Sequence, residues 1–121
     1  MGVEPSGVMM QDTANVFSAS GGAASITSGR LSFTLGLVGP CYTIDTACSS
    51  ALAALHACTL ALMNKECDKS VVIGTKVLSE ASNYGTAVAG MTSLQGRCHT
   101  FDARADGYCR GEGCGAFCLS G

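Results

Sequence analysis

The chain has 121 residues, 47% apolar and 13% charged, a composition able to bury a core within one domain and unlike that of a disordered segment. Seven basic residues against nine acidic ones leave a net charge of −2 with no basic cluster, so the phosphate-neutralising footprint of a nucleic-acid binder is missing. No apolar run approaches the roughly 18 residues of a spanning helix, and Met1-Gly2-Val3-Glu4-Pro5 lacks the regions of a signal peptide; the expectation is a soluble, cytoplasmic protein with neither nucleic acid nor membrane as partner.

Residues 1–17 show weak periodicity and predict no regular element. From Ser18 onward, Ile26, Arg30 and Phe33 fall near helical spacing and Leu31 and Leu35 lie four apart, which predicts a helix over 22–35. Its many Gly, Ala and Ser residues weaken helicity but let another backbone approach closely, so a buried helix is expected. Gly36, Gly39 and Pro40 break it, and the aromatic and β-branched content of Cys41–Asp45 predicts a strand. Strand should pass directly to helix at Cys48. Ser49–Asn64 is the strongest helical run, with Leu52, Leu55 and Leu62 on one stripe and Thr46 or Asp45 as its cap. Ser70–Thr75 is a continuous β-branched run of the interior type. Residues 77–100 predict a long irregular connection with one helical turn, and Ala116–Leu119 a last strand. The order of elements predicts an α/β fold with a layered sheet.

Cys48 is the chemical candidate. A helix beginning beside it would aim free N–H groups and a positive dipole end at the sulfur, favouring the nucleophilic thiolate. The eight cysteines include no Cys-x-x-Cys pair, and the gaps between Cys109, Cys114 and Cys118 are unlike zinc-ligand spacing, so reduced core thiols are expected and no metal site. Neither histidine suits Cys48 as a base. His56 lies eight residues along the same predicted helix, about 12 Å away. His99 sits in a loop, where an exposed or loop-ordering role is expected. Gly111–Ala116 matches the loose dinucleotide fingerprint, but it precedes a strand where that motif must follow one. Asp102, Asp106 and Glu112 interleave with Arg104 and Arg110, which predicts an ion-pair cluster that pins the loop rather than an acid–base pair.

Two motifs, in this order, resemble those of the β-ketoacyl synthase family, in particular the ketosynthase domain of polyketide synthases and related fatty acid synthases. The first is Asp45-Thr46-Ala47-Cys48-Ser49-Ser50, preceded by Gly39-Pro40 and followed by Ala54-Leu55-His56. The second is Gly96-Arg97-Cys98, then Phe101-Asp102-Ala103-Arg104-Ala105-Asp106-Gly107-Tyr108 and Gly111-Glu112-Gly113. Gly29-Arg30-Leu31-Ser32 fits the preceding helix. The resemblance implies a thiolase-like layered α/β/α/β/α fold, of which residues 1–121 would be an incomplete N-terminal half, truncated at both ends.

It also implies that Cys48 is the catalytic nucleophile and acyl acceptor, its backbone N–H contributing to an oxyanion hole. The parent reaction would be a decarboxylative Claisen condensation of the cysteine-bound acyl group with a malonyl-type extender. No cofactor is then bound directly, because substrates ride on the phosphopantetheine of an acyl carrier protein, and a homodimer through strand 41–45 is expected. The family's two histidine motifs are absent from these residues, so the fragment alone should be inactive in condensation. The other reading is a noncatalytic carrier-binding or dimerisation fragment of the same fold.

Overall fold

The computed structural model describes residues 15–121. Most of the region predicted to lack regular elements, residues 1–14, therefore lies outside the described residues. The rest divides into two compact units, the first running to Asp68 and including Gly121, the second Lys69–Ser120.

The first unit is helical. A short helix α1 (Ser18–Gly22) is followed by α2 (Ala24–Leu35), with Ala23 in an extended conformation between them. α2 matches the predicted helix over 22–35 to within two residues, whereas α1 lies ahead of it where the sequence predicts no helix, and ends at Gly21 and Gly22, glycine weakening a helix by about 1 kcal/mol relative to alanine. At the C-terminus of α2, Gly36 takes φ 65°, and the N–H of Leu37 reaches back to the carbonyl of Ser32 at 2.8 Å. That bond satisfies one of the orphan carbonyls at the helix end. The analogous bond from Glu66 N–H to the Ala61 carbonyl closes α3 (Ser50–Met63) at 2.9 Å, with Lys65 left-handed in place of a glycine.

Contrary to expectation, α2 buries none of its residues, and Phe33 is 90% exposed. Small side chains permit close approach but supply little apolar area to drive it, and the described residues offer no second layer against this helix. On α3, Leu55 and Leu62 are half-buried and Ala61 is buried, whereas Leu52 is 71% exposed, so only the later part of the predicted stripe is covered.

Cys41–Asp45 does not form the predicted strand. A strand needs a ladder partner, and among the described residues no backbone–backbone hydrogen bond involves residues 38–45. Side chains hold the segment instead. Thr43 Oγ1 accepts from the Ser28 N–H at 3.3 Å and shares a 2.9 Å hydrogen bond with the Ser28 hydroxyl, while the Ser32 hydroxyl donates to Cys41 Sγ at 3.3 Å.

The second unit contains β1 (Lys69–Lys76), α4 (Glu80–Val88) and β2 (Gly113–Ser120). The strands pair antiparallel, Val72 opposite Phe117 and Lys69 opposite Ser120. The sequence predicts β1 as an interior strand, yet among the described residues it is paired along one edge only, and of its apolar run only Val72, 3% exposed, is buried. Val71 and Ile73 point to the opposite face, where no layer of the described residues covers them. Helix α4, nine residues long, is more than the one helical turn expected within the irregular connection 77–100, the rest of which carries no helix or strand. Its start is encoded by Ser79, whose hydroxyl accepts the Ser82 N–H at 3.3 Å, with Glu80 in the first turn; Gly85 and the sparse apolar pattern hide it from periodicity.

The predicted ion-pair cluster of the 97–112 loop reduces to a single pair. Arg104 grips Asp102 through Nη2 to Oδ2 at 2.6 Å and Nε to Oδ1 at 3.0 Å, which holds the Asp102 carboxyl below the usual carboxylate range. Arg110 and Glu112 bond to uncharged groups. Arg110 Nη1 donates to the Ser82 carbonyl at 2.7 Å and Thr86 Oγ1 at 3.2 Å, and Glu112 Oε1 accepts the Leu78 N–H at 2.6 Å. The Ser82 carbonyl within α4, the Thr86 hydroxyl and the Leu78 N–H just before the helix are nearer partners for these side chains than opposite charges. Replacing Glu112 by alanine should therefore speed amide exchange at Leu78 about tenfold, a change of the size expected for losing one charge-assisted bond. Unchanged exchange would show that this bond does not hold the segment.

Candidate active site

Cys48 sits in a 3₁₀ turn, Ala47–Ser49, that leads directly into α3. The residue before it, Ala47, has φ 58°. For an L-residue this left-handed conformation costs about 1–2 kcal/mol and persists only where neighbours impose it. The polar residues of the motif do so. Asp45 Oδ1 accepts the Ala47 N–H at 2.9 Å, and the Ser50 hydroxyl accepts the Thr46 N–H at 2.9 Å while donating to the Ala47 carbonyl at 2.6 Å. Ser49 Oγ lies 2.9 Å from both the Thr46 carbonyl and the Thr46 hydroxyl.

Of the two caps expected, Asp45 bonds the turn through its side chain and Thr46 through its carbonyl; the residue at the N-cap of α3, Ser49, makes no side-chain cap bond. Cys48 itself stands outside this network. Among the described residues neither its sulfur nor its backbone N–H makes a hydrogen bond, and it is solvent-exposed. The turn is thus tied at every position except the one that carries the thiol. Sequence reasoning singles out Cys48 but assigns no function to Ser50 and no special conformation to Ala47; two hydroxyls directly after the cysteine are the available signal.

α3 runs unbroken past His56, which is exposed, so the helical separation from Cys48 stands. His99 is half-buried rather than exposed. Its carbonyl accepts the Asp102 N–H at 3.1 Å, a loop-ordering contact, and its Nε2 is buried without a partner among the described residues. Asp106 is held below its ordinary pKa by the Ser93 side chain first, with the Leu94 N–H and His99 adding to the effect.

The cysteines are not the core residues expected. Six are exposed and Cys58 and Cys67 are half-buried: Cys114 and Cys118 lie on β2, which has no covering layer among the described residues, and Cys41, Cys67, Cys98 and Cys109 lie outside helices and strands. Cys98 has a structural place: its sulfur accepts the Cys109 N–H at 3.0 Å. Cys41 has a thiol pKa below its ordinary value, lowered by hydrogen bonds from Ser28 and then Ser32. In the second unit a shallow hollow of about 310 Å³ is walled by Asn83, Thr92, Tyr108 and Arg110 among others, beside the Met91 region.

Gly107 explains a glycine of the second motif. It has φ 137°, and a Cβ there would stand 2.6 Å from the Ser93 nitrogen and 2.6 Å from the Thr92 carbonyl carbon. The two backbones touch because Tyr108 N–H donates to the Met91 carbonyl at 3.1 Å and Ser93 N–H to the Tyr108 carbonyl at 3.0 Å.

Comparison with known proteins gives a consistent result. The family described as Beta-ketoacyl synthase, N-terminal domain, matches residues 4–121. The chain is 44% identical over 107 residues to 3-methylorcinaldehyde synthase of a Phoma species, covering 88% of this chain and 4% of that protein. It is 43% identical over 106 residues to a phenolphthiocerol/phthiocerol polyketide synthase of Mycobacterium tuberculosis, covering 87% of this chain and 7% of that protein. Among solved structures, the ketosynthase from module 6 of the bacillaene synthase from Bacillus subtilis 168 superposes with a TM-score of 0.78 at 38% identity, covering 88% of this chain and 20% of that one.

The expected incomplete α/β, thiolase-like architecture agrees with that superposition. The chain spans less than a tenth of the curated relatives' length and about a fifth of the ketosynthase chain. A family match across nearly all of the sequence, with Cys48 and its turn inside the matched region, means that the chain belongs to the β-ketoacyl synthase family.

Proposed function

We propose that Cys48 accepts an acyl group as a thioester within a ketosynthase, and that the whole protein uses it for decarboxylative condensation in polyketide or fatty acid biosynthesis. The observation that carries this reading is the turn itself: an exposed thiol and an unbonded backbone N–H on the same residue, held by a network that leaves both free. The N–H is the group that a tetrahedral intermediate's oxygen needs.

In the first half-reaction the Cys48 sulfur bonds to the acyl carbon and the donor's carbon–sulfur bond breaks. The Cys48 proton ends on the phosphopantetheine thiol of the acyl carrier protein. In the second, a malonyl-type extender loses carbon dioxide, its carbanion attacks the thioester, and Cys48 leaves as a thiolate that takes up a proton. The groups that assist decarboxylation are assigned to sequence other than residues 1–121, since His56 is exposed a helix away and His99 orders a loop. By this reading residues 1–121 are one part of a ketosynthase domain and do not condense by themselves. A homodimer fits residues 41–45, whose backbone groups lack partners among the described residues and can pair with a second copy. No described helix is long and apolar enough to cross a membrane.

The test is acylation of the full-length protein and its Cys48→Ala variant by an N-acetylcysteamine thioester, with the label mapped by peptide mass spectrometry. Residue-level mapping is needed because Cys41 is also an exposed thiol with a lowered pKa. Stoichiometric label on Cys48, lost in the variant, is expected; label of equal extent in both proteins sinks the reading and favours a noncatalytic fragment.

A further inference from the structure

We infer that Ser50 is a positioning residue that aims the Cys48 backbone N–H at the reacting oxygen; this rests on the reading of Cys48 as acyl acceptor. The peptide unit between Ala47 and Cys48 is planar and trans, so its carbonyl and its N–H point in opposite directions. The Ser50 hydroxyl, 2.6 Å from the Ala47 oxygen, draws that carbonyl toward the start of α3. The Cys48 N–H is thereby turned to the other side of the peptide plane, and among the described residues it meets no acceptor.

The same hydroxyl accepts the Thr46 N–H at 2.9 Å, while Asp45 Oδ1 holds the Ala47 N–H at 2.9 Å and stands 3.4 Å from Ser50 Oγ. The peptide units on both sides of Ala47 are therefore pinned, which is what an alanine at φ 58° requires. Back-bonding to a carbonyl three residues earlier is ordinary for serine. Here the same hydroxyl also accepts the Thr46 N–H, which has no other acceptor among the described residues, and adds a second donor to the Ala47 carbonyl that the Ser50 N–H already bonds.

Without the hydroxyl the Ala47 carbonyl keeps only its bond from the Ser50 backbone N–H and the Thr46 N–H loses its acceptor, so the turn loosens and the Cys48 N–H loses its fixed aim without Cys48 losing its thiol. The two effects separate experimentally. Transfer from a thioester passes through an oxyanion and needs the N–H; alkylation by iodoacetamide occurs at a tetrahedral carbon and forms none.

In the full-length protein, Ser50→Ala should slow acylation of Cys48 by the thioester about 30-fold, somewhat less than removal of an oxyanion donor costs, and change its alkylation by iodoacetamide less than about threefold. Ser50→Thr, which keeps the hydroxyl, should restore acylation to within about threefold of the native rate. A parallel fall in both reactions, no fall in either, or a threonine variant as slow as the alanine one overturns the inference. If the native protein itself fails to acylate at Cys48, the functional reading fails and this inference with it; native acylation with an unaffected Ser50→Ala variant removes this inference alone.

Discussion

A Gly107→Ala variant should lose the contact between the two backbone stretches at 91–93 and 107–108, with a larger stability effect than alanine at any other glycine whose surroundings are described. The new Cβ cannot be absorbed by a rotamer change, because the atoms it meets at 2.6 Å are the Ser93 nitrogen and the Thr92 carbonyl carbon, with the Met91 oxygen at 2.9 Å. The φ of 137° adds strain that alanine carries and glycine does not. One backbone must withdraw from the other, breaking the bonds Tyr108 N–H to Met91 O and Ser93 N–H to Tyr108 O. A local cost of about 3 kcal/mol or more follows, which corresponds to amide exchange at Ser93 and Tyr108 faster by roughly a hundredfold. Exchange at Val72, in β1, provides the internal reference within the same unit. If Ser93 and Tyr108 keep their native protection, the close approach at Gly107 is not what holds the loop.

That glycine also shows where sequence reasoning reaches and where it stops. Its motif is readable, yet nothing in a single chain says which glycine is a breaker and which is a point of contact; that depends on residues 91–93, fourteen or more positions earlier. Elements governed by local chemistry are legible. The run Ser-Ala-Leu-Ala-Ala-Leu from position 50 has high helix propensity and becomes α3, and Gly36 ends α2 as a breaker should. Elements governed by partners are not. Cys41–Asp45 has strand composition but finds no ladder among the described residues, and Ser70–Thr75 is apolar enough for two covered faces but receives cover at Val72 only.

The site divides the same way. Cys48 stands out from its place at a composition boundary, whereas the expected Asp45 or Thr46 cap of α3 is not made and Asp45 bonds the Ala47 N–H instead. The clamp made by Ser50 is not evident from the sequence, because it depends on a left-handed alanine, a conformation that alanine itself does not favour and that no propensity scale predicts. Local strain of this kind is visible only once the chain around it is placed, and its concentration beside an exposed thiol is what ties the turn to chemistry.

The second large effect is functional and should come with no structural change. In Cys48→Ser the sulfur is replaced by an oxygen at the one position of the turn that makes no hydrogen bond among the described residues, so every contact of the Asp45–Ser50 clamp is kept. Unfolding of the variant should match the native protein to within about 0.5 kcal/mol, the range of surface substitutions. Condensation by the full-length protein should nonetheless fall by about 10³-fold or more, for two reasons. An unassisted serine hydroxyl is a far weaker nucleophile than a cysteine sulfur, so loading slows. Any acyl group that does transfer is then held as an oxygen ester, whose carbonyl is less electrophilic and whose alkoxide leaves less readily than a thiolate, so the carbanion's attack slows as well. Single-turnover measurements separate the two, since loading is read by mass at residue 48 and condensation by product. A serine variant that loads and condenses at the native rate would mean that the sulfur at position 48 is not the acyl carrier, whatever the motif around it resembles.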